Sequence, residues 1–348
     1  MMINGVDLFC GVGGLTHGLM SGGVRVVAGI DVDEQCQFPY EANNNTVFMR
    51  RDVQELSARS LQDLWAGGRY TLLAGCAPCQ PFSTYSRSGR RSRSDSKWEL
   101  VSAFGRLVSQ AQPDFVTMEN VPQLLEHPVF QEFLASLSGY HVWHGVIDCA
   151  QYGVPQTRKR LVLLGSRLGS ISFKKAALIG EKTEATVSTA ISHLPRLAAG
   201  NSDPRDTLHS ACRLSELNLR RIRASKPGGT WRDWDPELVA HCHRKDSGGT
   251  YPSVYGRMEW LAPAPTITTQ CFGYGNGRFG HPEQDRAITL REAAILQTFP
   301  ESYRFLREGE RVRFSVLGRL IGNAVPPRLG EAIARSLIEH VEMRGSYT

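Results

Sequence analysis

The chain has 348 residues, 41% hydrophobic and 21% charged, with a formal net charge of +6. That length holds one large core plus a smaller domain, the composition is that of a soluble globular protein, and the small positive excess points only weakly to a polyanionic partner. Eight cysteines over such a length exclude a disulfide scaffold, and no run approaches the roughly 18 apolar residues of a membrane span. With an N-terminus lacking the basic and apolar segments of an export signal, the expectation is a cytoplasmic protein in a reducing compartment, with no membrane segment.

Val6-Asp7-Leu8-Phe9 reads as the end of strand one, followed by the glycine-rich Cys10-Gly11-Val12-Gly13-Gly14-Leu15 and a helical pattern from Thr16. Glycines there permit a tight turn and let backbone N–H groups approach a ligand at a helix N-terminus. Val24 to Ile30 reads as strand two and ends at Asp31, 20 positions beyond Gly11, the place of a ribose-binding carboxylate in a dinucleotide-type fold. The glycine cluster departs from the strict dinucleotide fingerprint, so a purely structural turn stays open; without a P-loop lysine, nucleoside recognition is favoured over phosphate recognition. Asp52 follows the apolar Thr46-Val47-Phe48 and is placed to reach an adenine amino group.

The apolar run Thr71-Leu72-Leu73-Ala74 leads into Gly75-Cys76-Ala77-Pro78-Cys79-Gln80-Pro81-Phe82-Ser83. A cysteine between turn-forming residues just beyond a strand is where an α/β enzyme can present a nucleophile. Cys76, three residues earlier, has no further ligands at zinc spacing and is expected to pack locally. Asp114 to Thr117 closes at Met118-Glu119-Asn120-Val121, and Arg160 to Gly165 gives one more strand. Continuous apolar strands separated by helical segments predict an α/β fold with a mainly parallel sheet covered on both faces. Gly11, Asp31, Asp52, Cys79 and Glu119 all fall at strand ends, where one cleft collects ligands in such sheets.

From about Asn201 proline, glycine and tryptophan punctuate basic segments. Neighbouring His241, Cys242 and His243 do not make a tetrahedral metal site, and no metal is expected. Thr289 is a candidate N-cap for a helix over Arg291 to Leu296. Pro326-Pro327 introduces a final helix from Arg328 to about His340, expected to pack back on the large domain.

Together these segments resemble the DNA cytosine-5 methyltransferase family, of the bacterial restriction-modification type. The ordered match runs through Asp7-Leu8-Phe9-Cys10-Gly11-Val12-Gly13-Gly14, Asp31, Asp52, Pro78-Cys79-Gln80, Glu119-Asn120-Val121, Gln151 to Arg160, Arg291-Glu292-Ala293-Ala294 and Gly322-Asn323-Ala324-Val325-Pro326. The resemblance implies an S-adenosylmethionine-dependent methyltransferase fold, Rossmann-like, with a smaller inserted target-recognition domain. The corresponding bounds are 1–199 for the catalytic and cofactor domain, 200–312 for target recognition, and 313–348 completing the large domain. It makes Cys79 the nucleophile at C6 of cytosine, puts Glu119 on the N3 and N4 edge, and puts Arg160 on the O2 side with Arg158 in support. Phe9, Gly11, Gly13, Asp31, Val32, Asp52, Leu100 and Val325 then line the S-adenosylmethionine site, and Asn323 organises the turn before Val325.

The segment Thr84 to Lys97 carries Arg87, Arg90, Arg91 and Arg93 and matches the family's catalytic loop, whose arginines would grip phosphates beside an extruded base. Within the insert, Arg232, Arg244, Lys245 and Arg257 are further candidates for nucleic-acid contact, and Arg291 and Glu292 organise the domain. The implied partner is double-stranded DNA, with a separate cognate restriction endonuclease and a monomeric enzyme. Cytosine-5 methylation of a structured RNA such as transfer RNA, and a catalytically silent DNA-binding relative, are the alternatives.

Overall fold

A computed structural model describes residues 3–78, 95–174, 185–245, 248–249 and 251–345. The chain divides into two compact units, one formed by Met1–Tyr152, Lys159–Lys182 and Val325–Thr348, the other by Gly153–Arg158 and Thr183–Ala324.

The first unit begins β1 (Ile3–Leu8), α1 (Gly14–Ser21), β2 (Arg25–Asp31), α2 (Gln37–Asn44), β3 (Val47–Arg50), α3 (Ala58–Leu64) and β4 (Tyr70–Gly75). It continues α4 (Asp95–Ala111), β5 (Phe115–Asn120), α5 (Pro128–Ala135), β6 (His141–Asp148) and β7 (Lys159–Ser166). These strands form one seven-stranded sheet in the order β3-β2-β1-β4-β5-β7-β6. The first five are parallel, while β7 runs antiparallel to both β5 and β6. Strand order reverses between β1 and β4, so a crevice opens beyond their carboxyl ends, the general ligand position of open α/β sheets.

Burial explains the strands. Val6, Leu8, Ile30, Leu73, Val116, Met118, Leu161 and Leu163 pack with Leu61, Trp65, Phe104, Leu107, Phe130 and Phe133 from the helices. Each such side chain contributes on the order of 1.5–3 kcal/mol by leaving water. Strand β6 is an element that the apolar pattern did not predict. It lies at the sheet edge, where His141, Val142, His144 and Val146 are exposed, so no continuous apolar run marks it.

The second unit holds α6 (Val187–Ile191), a two-stranded ribbon of β8 (Ser202–Asp203) and β9 (Asp206–Ser210), α7 (Glu216–Ala224), α8 (Leu290–Leu296) and α9 (Phe314–Asn323). Much of it is irregular and held by polar side chains. The Arg286 guanidinium is fully buried and bonds both oxygens of Glu292 at 2.7 Å. Thr289 caps α8 as expected, in a reciprocal box with Glu292. Arg291 bonds Asp206 and the Tyr303 carbonyl, which ties α8 to the ribbon and to the following loop.

The unit bounds differ from the sequence expectation of 1–199, 200–312 and 313–348. Helix α6 joins the second unit because Val187 N–H donates to Ala262 O, and α9 joins it because Gln297 Nε2 donates to Ile321 O. The segment 153–158 also belongs there, through Gln156 Nε2 to Leu296 O at 2.6 Å and Arg158 to Ile267 O at 3.2 Å.

Helix α10 (Pro327–Gly345) returns the chain to the first unit and packs on α1 backbone to backbone. A Cβ on Gly18 would stand 2.1 Å from the Pro327 carbonyl oxygen, so only glycine admits this approach. Among the described residues, no helix is long and apolar enough to cross a membrane.

Candidate active site

The turn after β1 needs three residues in the left-handed region: Phe9 (φ 57°), Gly11 (φ 52°) and Gly13 (φ 88°). Glycine relieves that strain at two of them. A Cβ on Gly11 would meet no protein atom within 4 Å, so the space before this turn is open. The Gly11 N–H donates to one Asp31 carboxylate oxygen and the Asp33 N–H to the other, both at 2.9 Å. Burial pushes the Asp31 carboxyl up, against those two donors. Next to it Val32 is 59% exposed, an aliphatic side chain with no place in the core.

The other candidate cofactor residues are placed less uniformly. Asp52 is half-buried beyond β3 and accepts from Gln54 N–H. Leu100 is half-buried on α4, while Val325 is buried at the start of the returning segment. Asn323 is exposed at the end of α9 and falls in the second unit.

Strand register assembles the acidic centre. Gly75 pairs with Met118 in the parallel β4–β5 ladder, so the next residues, Cys76 and Glu119, stand side by side on one face. Glu119 pairs with Val162 in the antiparallel β5–β7 ladder, and Arg160 lies two residues along β7 on that same face. The Arg160 Nε reaches Glu119 Oε1 at 2.9 Å as an ion pair, yet Oε1 makes no aligned hydrogen bond. The Cys76 thiol donates to Oε2 at 2.8 Å. Glu119 is only 2% exposed, so these two groups govern a carboxylate removed from water. Cys76 is thus more than the packing residue expected; the signal was the in-register continuation of β4 and β5. Asn120 donates to the Ala77 carbonyl at 3.1 Å and fixes the start of the segment that leads to Cys79.

Cys79 itself, and Arg87, Arg90, Arg91 and Arg93, lie outside the described residues. Arg158 makes a different set of described contacts from Arg160. It belongs to the second unit, is 2% exposed, and donates to the carbonyls of Ile267 and Ala324. Its described role is to hold backbone, because a guanidinium at that depth needs carbonyl partners.

Of the candidate nucleic-acid residues in the second unit, Arg257 has to be reassigned. It is 5% exposed and its guanidinium serves the carbonyls of Ile222, Ser225, His281 and Gln284 and the carboxylate of Asp285. It is an internal brace, unable to face a phosphate. Arg232, Arg244 and Lys245 are exposed. Arg232 lies over the Trp231 ring and donates to Gly249 O, and Arg244 donates to Pro236 O, so both heads are oriented by the protein. His243 stacks on Trp231 with ring centroids 4.5 Å apart and bonds the Gly248 carbonyl.

The mainly parallel sheet, the glycine turn bonded to the acidic end of β2 and the buried Glu119 centre define an α/β protein with its candidate site beyond the strand ends. The fold matches that of a prophage-encoded E. coli protein (TM-score 0.72, 23% identity, 98% of this chain and 99% of that one) and of the Entamoeba histolytica methyltransferase EhMeth (TM-score 0.68, 15% identity, 98% and 99%). The family model for C-5 cytosine-specific DNA methylases matches residues 3–339. The chain is also 51% identical to the Type II methylase M.HgiDII of Herpetosiphon aurantiacus, over 97% of this chain and 95% of that protein. The protein belongs to the C-5 cytosine-specific DNA methylase family and is a DNA cytosine-5 methyltransferase.

Proposed function

We propose that the protein methylates C5 of an extruded cytosine within a short specific sequence of double-stranded DNA, using S-adenosylmethionine and a covalent bond between Cys79 and C6. The observation that carries the reading is the buried Glu119 carboxylate, paired with Arg160 and bonded by Cys76 just beyond β4, three residues before Cys79 in the sequence. Ring carbon C5 is a poor nucleophile. Addition of the Cys79 thiolate to C6, with a proton taken up at N3 on the Glu119 side, makes C5 enamine-like. After methyl transfer water accepts the C5 proton, N3 returns its proton, and the C6–S bond breaks to release the thiolate and restore the ring.

Glu119 holds the N3 and N4 edge as charge develops on the ring, and Arg160, its Nε kept on Glu119, presents the rest of its guanidinium to the O2 side. In a stacked duplex these atoms are out of reach, so the base leaves the helix first. S-adenosylmethionine supplies, when bound, an electrophilic methyl group on a sulfonium. The first unit suits it: the open face at Gly11 admits the amino-acid end, Asp31 stands ready for ribose hydroxyls, and exposed Val32 offers an apolar surface to adenine.

The Type II names of the Herpetosiphon relative and of M1.HphI from Haemophilus parahaemolyticus, 31% identical over 97% of this chain and 87% of that protein, support a restriction-modification role. We assign it accordingly to a cytoplasmic monomer whose cognate endonuclease is a separate protein. Bisulfite sequencing of DNA from cells expressing the protein, with Cys79→Ala as control, tests the reading. New 5-methylcytosine confined to one short motif, and absent from the control, is expected. No new methylation in DNA, or methylation persisting in the control, overturns it.

A further inference from the structure

We propose that Cys76 is a positioning residue for methyl transfer: its thiol, donating to Glu119 Oε2, sets the plane in which the Glu119 carboxylate meets the cytosine edge. The inference rests on the reading of Glu119 given above. Three features of the site carry it.

First, Glu119 is 2% exposed, so water does not orient the carboxylate and protein donors must. Second, its two oxygens are engaged by different strands. Arg160 of β7 lies 2.9 Å from Oε1 and Cys76, just beyond β4, lies 2.8 Å from Oε2. Two contacts on opposite oxygens fix rotation about the last side-chain bond, whose preference is otherwise broad. Third, the engagement of Oε1 is ionic, without an aligned hydrogen bond, so that oxygen keeps acceptor capacity for an incoming donor.

The cytosine edge presents an exocyclic amino donor beside a ring nitrogen, and only a carboxyl group lying near the ring plane can serve both. A carboxylate held by Arg160 alone would be free to swing about that contact. The thiol removes this freedom from the side remote to Arg160, and the parallel β4–β5 register keeps it in place. Cys76 touches neither the base nor the methyl donor in this scheme. Its effect on rate passes through Glu119, and preorganisation of this kind acts on the chemical step more than on ground-state binding.

Four purified full-length variants test the idea against the wild type on a duplex containing the methylated motif: Cys76→Ala, Cys76→Val, Cys76→Ser and Glu119→Gln. Cys76→Ala removes the donor, Cys76→Val removes it while filling the space, and Cys76→Ser keeps a hydroxyl donor. In Cys76→Ala and Cys76→Val, kcat should fall about tenfold, roughly 1.4 kcal/mol in the barrier, while KM for DNA and for S-adenosylmethionine stays within about twofold. Cys76→Ser should recover kcat to within about threefold of wild type. A kcat for Cys76→Val equal to wild type overturns the proposal, as does a loss in Cys76→Ser as deep as that in Cys76→Val. The reading of Glu119 stands or falls separately: wild-type-like kcat in Glu119→Gln would sink that reading, whatever the Cys76 variants show.

Discussion

Gly11 and Asp31 are joined across the carboxyl ends of neighbouring strands: the Gly11 N–H donates to an Asp31 carboxylate oxygen at 2.9 Å. The contact locks the glycine turn to the end of β2. It also holds a partly buried carboxylate where the open space before Gly11 begins. The same bond thus shapes the turn and aims the acid.

Asp31→Ala should therefore weaken S-adenosylmethionine binding by about ten- to hundredfold, since hydrogen bonds to a charged group are each worth about 1.5–3 kcal/mol. Isothermal titration of the purified protein with the cofactor checks this. An affinity unchanged by the substitution removes Asp31 from the site.

Asp7 lies fully buried at the end of β1. Burial pushes its carboxyl up to about 7, opposed by the Thr16 hydroxyl at 2.7 Å and reinforced by the nearby Asp31 charge. The native state then holds a proton that the unfolded chain releases near pH 4, so stability falls as pH rises between about 4 and 7, by up to roughly 4 kcal/mol. Asp7→Asn cannot ionise and should be more stable than wild type at about pH 8, the advantage shrinking toward about pH 5. Urea unfolding across that range measures both curves; parallel curves would contradict the assignment.

Arg257 and Arg232 should separate cleanly. Arg257→Ala strands several buried carbonyls and the Asp285 carboxylate, at a stability cost of about 2–5 kcal/mol. Arg232→Ala, on the surface, should leave the melting temperature within about 1 °C and reduce the salt slope of DNA binding by about one, if its guanidinium meets a phosphate. Thermal unfolding and binding at several salt concentrations distinguish them. A salt slope unaltered in Arg232→Ala takes that residue off the DNA surface.

Glu292→Gln leaves the Arg286 guanidinium buried without its counter-charge. Burial alone would raise the Glu292 carboxyl, but Arg286 outweighs it and holds the group below the usual carboxylate range. Breaking such a pair costs about 3–5 kcal/mol, or roughly 10 °C in melting temperature. Differential scanning calorimetry reads the loss directly. A melting point within about 2 °C of wild type would mean that the pair contributes little.

Much of this architecture was legible along the chain because its elements are local. Apolar runs marked β1 to β5 and β7, largely buried in all but the edge strand β3, and Thr289 announced α8 through its own side chain. Strand β6 escaped because His141, Val142, His144 and Val146 are exposed and leave it no continuous apolar run. Arg257 misled for a related reason: a basic residue in a basic segment looks the same from sequence whether it faces solvent or spans a cluster of carbonyls.

Sequence by itself determined the family, the order of the strand-end motifs and the identity of the acidic residues, since these depend on residue type and spacing along the chain. Tertiary structure alone decided which arginine serves Glu119. Arg158 and Arg160 are two residues apart, yet Arg160 extends along the sheet to the carboxylate while Arg158 turns to carbonyls in the second unit. The same held for Cys76, joined to Glu119 by register across 43 residues of sequence. Such partnerships are set by which strands lie side by side, and buried charge takes whatever partner that packing brings within hydrogen-bond reach.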